Sequence, residues 1–139
     1  MVSKEELIEL LNKDLEKEYG AAIQYINHAA QMTGAKYGAI IKELKVHVNE
    51  EIQHAIILAD QISFLGGKPS VVVGEIHTAE GNEEMLQQDL TGEEGAIQRY
   101  KERIEQAEEL KEFALAHQLR TTLAQEQEHA MDLQQALGK

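Results

Sequence analysis

Glu51-Ile52-Gln53-His54 and Glu126-Gln127-Glu128-His129 each set a carboxylate and an imidazole three residues apart. On a helix that spacing puts both groups on one face, so each pair aims an oxygen and a nitrogen donor at a common point. Each pair is half of a metal site. Two single glutamates complete the set, because Glu18 precedes Glu51 by the same interval as Glu93 precedes Glu126. Their surroundings also read alike: Glu18-Tyr-Gly-Ala-Ala-Ile-Gln-Tyr25 matches Glu93-Glu-Gly-Ala-Ile-Gln-Arg-Tyr100. The second half of the chain is a displaced copy of the first, with Glu18 falling on Glu93 and Glu51 on Glu126.

Four glutamates gathered in an apolar interior would repel one another and lose their hydration, so they would take up protons or loosen the core. Two divalent cations balance the four negative charges, and neutral His54 and His129 add donors without adding charge. Glu51 and Glu126 are expected to bridge the two ions, with Glu18 and Glu93 as the single carboxylates. Glu94 competes with Glu93, but it lies about 100° further round a helix. Tyr25 and Tyr100 stand two turns beyond their glutamates on the same face, where a phenol can hydrogen-bond and orient a ligand carboxylate. Mixed carboxylate and imidazole ligation suits iron or manganese, while affinity order lets zinc occupy the same donors.

Four helices must position these groups. The first is opened by the capping box Ser3-x-x-Glu6, carries Leu7, Leu11, Leu15, Glu18, Ala22, Tyr25, Ala29 and Met32 on one stripe, and ends at Thr33-Gly34. The second runs through Ile40, Leu44, His47, Glu51, His54 and Leu58 to Gly66-Gly67, before Pro69. Lys68 to about Gly81 has no helical period, and Val71-Val72-Val73 favours extended chain, so this stretch reads as a crossover along the bundle. The third stripe is Leu86, Leu90, Glu93, Ile97, Tyr100 and Ile104. The fourth is Leu115, Leu119, Thr122, Glu126, His129, Leu133 and Ala136. No glycine or proline separates these two, yet the internal repeat places their turn near Glu108 to Lys111. The expected fold is all-α, an antiparallel four-helix bundle with one long crossover between the second and third helices, as one domain over residues 1–139.

Composition narrows the function classes. Cysteine is absent, which excludes disulfides, thiolate nucleophiles, and thiolate-held zinc or iron-sulfur centres. The formal charge of −12 disfavours nucleic acid and anionic membranes and attracts cations. With no membrane span and no signal peptide in the pattern, a cytoplasmic location is expected.

Other residues receive plainer readings. His47 shares the stripe of His54, with Glu43 and Glu50 nearby, and reads as a buried neutral histidine or one supporting a ligand, with an additional ion site as the alternative. His28, His77 and His117 are expected at the surface. Met32, Met85 and Met131 read as filler of the core or of an interface. Gly20 and Gly95 occupy equivalent positions, consistent with close helix approach or an access path. The run Glu102 to Glu112 reads as a solvated face. Ile8, Ile23, Ile41, Ile52 and Ile56 lie outside the central stripe and suggest a homodimer or larger homo-oligomer.

Glu18, Tyr25, Glu51-x-x-His54, Asp89-Leu90-x-x-Glu93, Glu126-x-x-His129 and the ending Phe64-Leu-Gly-Gly-Lys-Pro69 together resemble the ferritin-like superfamily, in particular bacterioferritins and their short relatives. The resemblance spans the whole chain. It implies a di-iron ferroxidase, in which paired ferrous ions are oxidised by dioxygen or hydrogen peroxide for iron storage or detoxification. Two departures qualify the match. Ile52 stands where bacterioferritins carry a haem-ligating methionine, so no haem is expected, and the chain ends ten residues after His129, so neither a fifth helix nor a closed 24-subunit cage is expected. The alternatives are a rubrerythrin-like peroxide reductase with a permanent di-iron cofactor, and a non-catalytic metal-binding dimer.

Overall fold

The structure, a computed structural model, describes residues 1–139. Four long helices account for nearly all its regular structure: α1 (Lys4–Gln31), α2 (Gly38–Phe64), α3 (Asn82–Glu109) and α4 (Phe113–Leu137), with a short 3-10 turn at Ala35–Tyr37. α1 packs on α2 and α3 on α4 as two hairpins. The hairpins close against each other through α1–α3 and α2–α4, leaving α1–α4 and α2–α3 on the diagonals. This is the antiparallel four-helix bundle that the stripe pattern predicts. No helix is long and apolar enough to cross a membrane.

The helix ends follow from local chemistry. Ser3 and Glu6 form the reciprocal capping box, with both bonds at 3.1 Å. α2 ends in a Schellman motif: Gly66 takes φ 94°, and the amides of Gly66 and Gly67 bond back to Ser63 and Ile62. α3 ends the same way without a glycine. Lys111 adopts φ 61°, and the amides of Lys111 and Glu112 bond back to Glu108 and Ala107. The turn therefore falls where the repeat places it, and its local signal is missing because a lysine occupies a left-handed position.

The segment from Leu65 to Gly81 runs alongside α1 in the same direction. Asn12 donates to the carbonyl of Lys68 and accepts from the amide of Ser70, the Gly74 amide donates to the carbonyl of Glu16 at 2.8 Å, and the His77 amide donates to Gln24. Gly20 and Gly74 permit this contact. A Cβ on Gly20 would lie 3.1 Å from the Glu75 carbonyl oxygen, and one on Gly74 would lie 2.7 Å from that of Glu16. Gly20 thus serves close approach, though to the crossover rather than to another helix. Its counterpart Gly95 faces only the Arg99 side chain.

The apolar core is divided. One cluster gathers Leu7, Leu11, Leu15, Leu58, Ile62, Ile104, Leu115 and Leu119 at one end of the bundle. A second gathers Ala29, Met32, Leu44, Met85, Leu86 and Leu133 at the other. The polar stripe positions lie between them. Met32 and Met85 are core residues as expected, whereas Met131 is on the surface.

Two expectations fail here. His28 is fully buried, because α1 turns it into the α1–α3 contact: Nδ1 lies 2.9 Å from Asp89, and Nε2 donates to the His77 carbonyl at 3.0 Å. The run Glu102 to Glu112 is not all solvated either, since Arg103 turns inward and donates to buried Asp14 at 2.7 Å, with Arg99 beside it at 3.3 Å. His77 and His117 are exposed.

Candidate metal centre

Glu18 of α1, Glu51 and His54 of α2, Glu93 of α3, and Glu126 and His129 of α4 meet in the middle of the bundle, all buried. They form two overlapping groups, Glu18, Glu51, His54 and Glu126, and Glu51, Glu93, Glu126 and His129. Within each group the nearest donor atoms lie within 4.8 Å of one another. Glu51 and Glu126 belong to both. His54 Nδ1 lies 3.6, 3.4 and 3.3 Å from Glu18, Glu51 and Glu126, and His129 Nδ1 lies 3.1, 3.5 and 3.3 Å from Glu51, Glu93 and Glu126. Donors about 2.1 Å from a common ion sit about 3 to 4 Å apart, so both groups have the right size. Glu94 points to solvent.

Hydrogen bonding tests the fit. Nine buried side-chain polar atoms lack a partner, and six of them come one each from these six residues: Glu18 Oε2, Glu51 Oε1, His54 Nδ1, Glu93 Oε2, Glu126 Oε1 and His129 Nδ1. Buried polar atoms are normally satisfied, so six unmet donors and acceptors converging on one place fit a pair of cations.

The remaining atoms of the ligand set are held from outside. Tyr25 donates to Glu93 Oε1 at 2.7 Å, and Tyr100 donates to Glu18 Oε1 at 2.5 Å. Each phenol thus holds the glutamate of the opposite half. Burial and the neighbouring carboxylates keep both phenols well above their usual range, so they remain donors. His54 Nε2 lies 2.6 Å from Gln125 Oε1, His129 Nε2 lies 3.1 Å from Glu50 Oε1, and Gln125 Nε2 donates to Glu50 Oε2 at 3.1 Å. Both imidazoles must therefore donate from Nε2, which leaves the Nδ1 lone pairs facing the centre.

The electrostatics show what a cation would replace. Burial would lower the pKa of His129, but the bonds and charges of Glu126 and Glu93 outweigh it and raise it to about 11. His54 is likewise raised, against the effect of burial, by Glu126, Glu18 and Glu51. Burial and the charge of Glu126 lift Glu93 to about 8, and burial with three neighbouring carboxylates lifts Glu51 well above its usual range. Glu126 goes down despite its burial, because His129, His54 and Glu51 bond to it. Protons neutralise the cluster unless a stronger cation displaces them.

His47 is fully buried and stacks on His129, with ring centroids 3.9 Å apart. Its Nε2 lies 3.1 Å from Asp132 and 3.9 Å from Glu43. Burial and repulsion from His129 lower its pKa to about 4, so it is neutral at neutral pH. A cleft of about 290 Å³ opens between α1 and α3. Gln24, His77 and Asp89 are among its walls, and its floor is formed in part by Glu18, Glu51, Glu93 and Glu126.

The repeat extends beyond the ligand set. Asp14 and Asp89, Gln24 and Arg99, and His28 and Arg103 are related by the displacement that carries Glu18 onto Glu93, so the buried Asp14–Arg103 and Asp89–His28 bridges between α1 and α3 are equivalent. Sequence reading missed these pairs, although the same displacement identifies them.

Residues 8–139 match the family model described as a ferritin-like domain. Over 134 residues the chain is 32% identical to a bacterial ferritin of Pseudomonas aeruginosa, covering 96% of this chain and 87% of that one. A ferritin-like, di-iron carboxylate protein of Bacillus anthracis superimposes with a TM-score of 0.93 at 35% identity, covering 99% of both chains. A dodecameric thioferritin of Bacteroides fragilis, a bacterioferritin-related protein, superimposes with a TM-score of 0.91 at 30% identity, covering 99% of this chain and 87% of that one. The chain belongs to the ferritin-like family. Within it, this is a protein of the bacterioferritin-like, di-iron carboxylate kind, with a buried cluster of carboxylates and histidines.

Proposed function

We propose that this protein is a ferroxidase that takes two ferrous ions as substrate and oxidises them with dioxygen or hydrogen peroxide, for iron storage or detoxification. The observation that carries this reading is the convergence of six unpartnered buried atoms, one from each of Glu18, Glu51, His54, Glu93, Glu126 and His129. Glu51 and Glu126, which belong to both donor groups, would bridge the ions, while Glu18 with His54 and Glu93 with His129 would serve one ion each. Each ferrous ion gives up one electron. Hydrogen peroxide takes the two electrons and two protons to become two waters, and dioxygen takes the same complement to become hydrogen peroxide. The negative charge of the four buried carboxylates stabilises the more highly charged ferric ions over the ferrous pair, so the site assists the direction of electron loss. Tyr25 and Tyr100 hold Glu93 and Glu18 in place during that change.

Protein loaded anaerobically with two ferrous ions per chain and then mixed with dioxygen or peroxide should oxidise them within seconds. Glu51→Ala and His129→Ala variants should do so at least tenfold more slowly. Equal rates in parent and variants would dismiss the reading. Iron that is oxidised and then retained through repeated peroxide turnovers would instead identify a resident di-iron cofactor.

A further inference from the structure

The internal twofold is kept almost everywhere in the ligand cluster. The glutamates, histidines and phenols all have counterparts in the other half of the chain, and the two phenol-to-carboxylate bonds are equivalent contacts. It is broken among the residues that support the two histidines. Glu50 and Gln125 are repeat-equivalent and support the opposite half's histidine, yet one is a carboxylate and the other an amide. The assignment of the amide is fixed by its neighbours, because its nitrogen must face Glu50 Oε2 at 3.1 Å and its oxygen must then face His54 Nε2. The same side of the cluster carries a second difference. His47, stacked on His129, has the non-aromatic Thr122 as its counterpart.

An imidazole that donates to a carboxylate is a more basic metal ligand than one that donates to a neutral amide, and the carboxylate adds a negative charge nearby. We infer that Glu50 and Gln125 make the two metal positions unequal, the position served by Glu93 and His129 binding its ion more tightly than the position served by Glu18 and His54. This rests on the dinuclear reading above and deepens it. The chain therefore fills preferentially at one position, and the weaker position is the one from which an ion leaves first. Glu50 is the positioning residue for the tight side, and its side chain, 27% exposed, reaches solvent outside the cluster.

Zinc, which does not change oxidation state, isolates binding from activity. Titration into chelator-treated parent protein with labelled histidines should perturb the His129 imidazole resonances during the first equivalent and those of His54 during the second. Calorimetry should resolve two constants about tenfold apart. Glu50→Gln should weaken the tighter constant about tenfold, and Gln125→Glu should strengthen the weaker one by a similar factor. The double exchange Glu50→Gln with Gln125→Glu moves the carboxylate to the other side and should reverse the filling order, an outcome no general loss of structure produces. Equal filling of the two histidines in the parent, or an unchanged order in the double variant, overturns the inference while leaving the dinuclear site standing. A parent that binds fewer than two zinc ions per chain overturns both.

Discussion

At the scale of single residues, the centre is a contest between protons and cations. Glu93 and His129 hold protons in the folded chain to about pH 8 and about pH 11, against ordinary values of 4.5 and 6.5. Both shifts are upward, so the stability they contribute is fully present below 4.5 and 6.5 respectively and is lost as pH rises through the folded values. Glu126 shifts the other way, and its contribution changes only below its ordinary value of 4.5. The melting temperature of chelator-treated protein should therefore fall between pH 6 and pH 9. Protein loaded with zinc or manganese should show much less of this dependence, because its ligands carry no protons to lose. Metal uptake at pH 7 should release protons, measurable by calorimetry in buffers of different ionisation enthalpy, and affinity should drop as pH is lowered. The six central residues were legible from spacing alone, because the same short and long intervals between them occur twice. Glu50, Gln125 and the burial of His28 were not. Their roles depend on which residues of a different helix lie opposite, and periodicity within one helix carries no information about that.

At the scale of elements, the two connections depend on backbone geometry that side-chain patterns hide. Lys111 holds a left-handed conformation that disfavours a residue with a Cβ by roughly 1–2 kcal/mol. Lys111→Gly should therefore stabilise the protein by about 1 kcal/mol, raising the melting temperature by about 2–4 °C. Gly74→Ala should do the opposite, costing about 1–3 kcal/mol, because the new methyl would press on the Glu16 carbonyl of α1. Gly92→Ala provides the contrast. Nothing lies within 4 Å of its would-be Cβ inside α3, so better helix propensity should make that change mildly stabilising. Chemical denaturation of the three variants checks all of this at once. The helices themselves were readable because each carries a full stripe and glycines mark the ends of α1 and α2 to within a few residues. Gly66 is the left-handed terminator of α2, and Gly34 lies just past the extended cap Met32 of α1. The crossover was readable as extended chain running along the bundle but its seat on α1 was not, since its anchors Asn12, Glu16 and Gln24 lie far back in the chain.

At the scale of the molecule, one outer face remains apolar. Ile23 and Ile26 of α1 and Ile52 and Ile56 of α2 are 41–53% exposed, whereas Ile8 and Ile41 pack against the two cores. We propose that this face is covered by another copy of the chain. Ile52→Glu combined with Ile56→Glu should lower the mass measured by light scattering while leaving the helical circular dichroism unchanged, and an unaltered mass would place the contact elsewhere. The two apolar clusters have a different consequence. Each end of the bundle is held by close apolar packing, but the waist between them is held by hydrogen bonds and by whatever occupies its remaining polar groups. Amide exchange should accordingly be slow in the end turns at all times and slow in the central turns of α2 and α4 only when ions are bound. The rigidity of the middle of this protein would then be a record of its iron load.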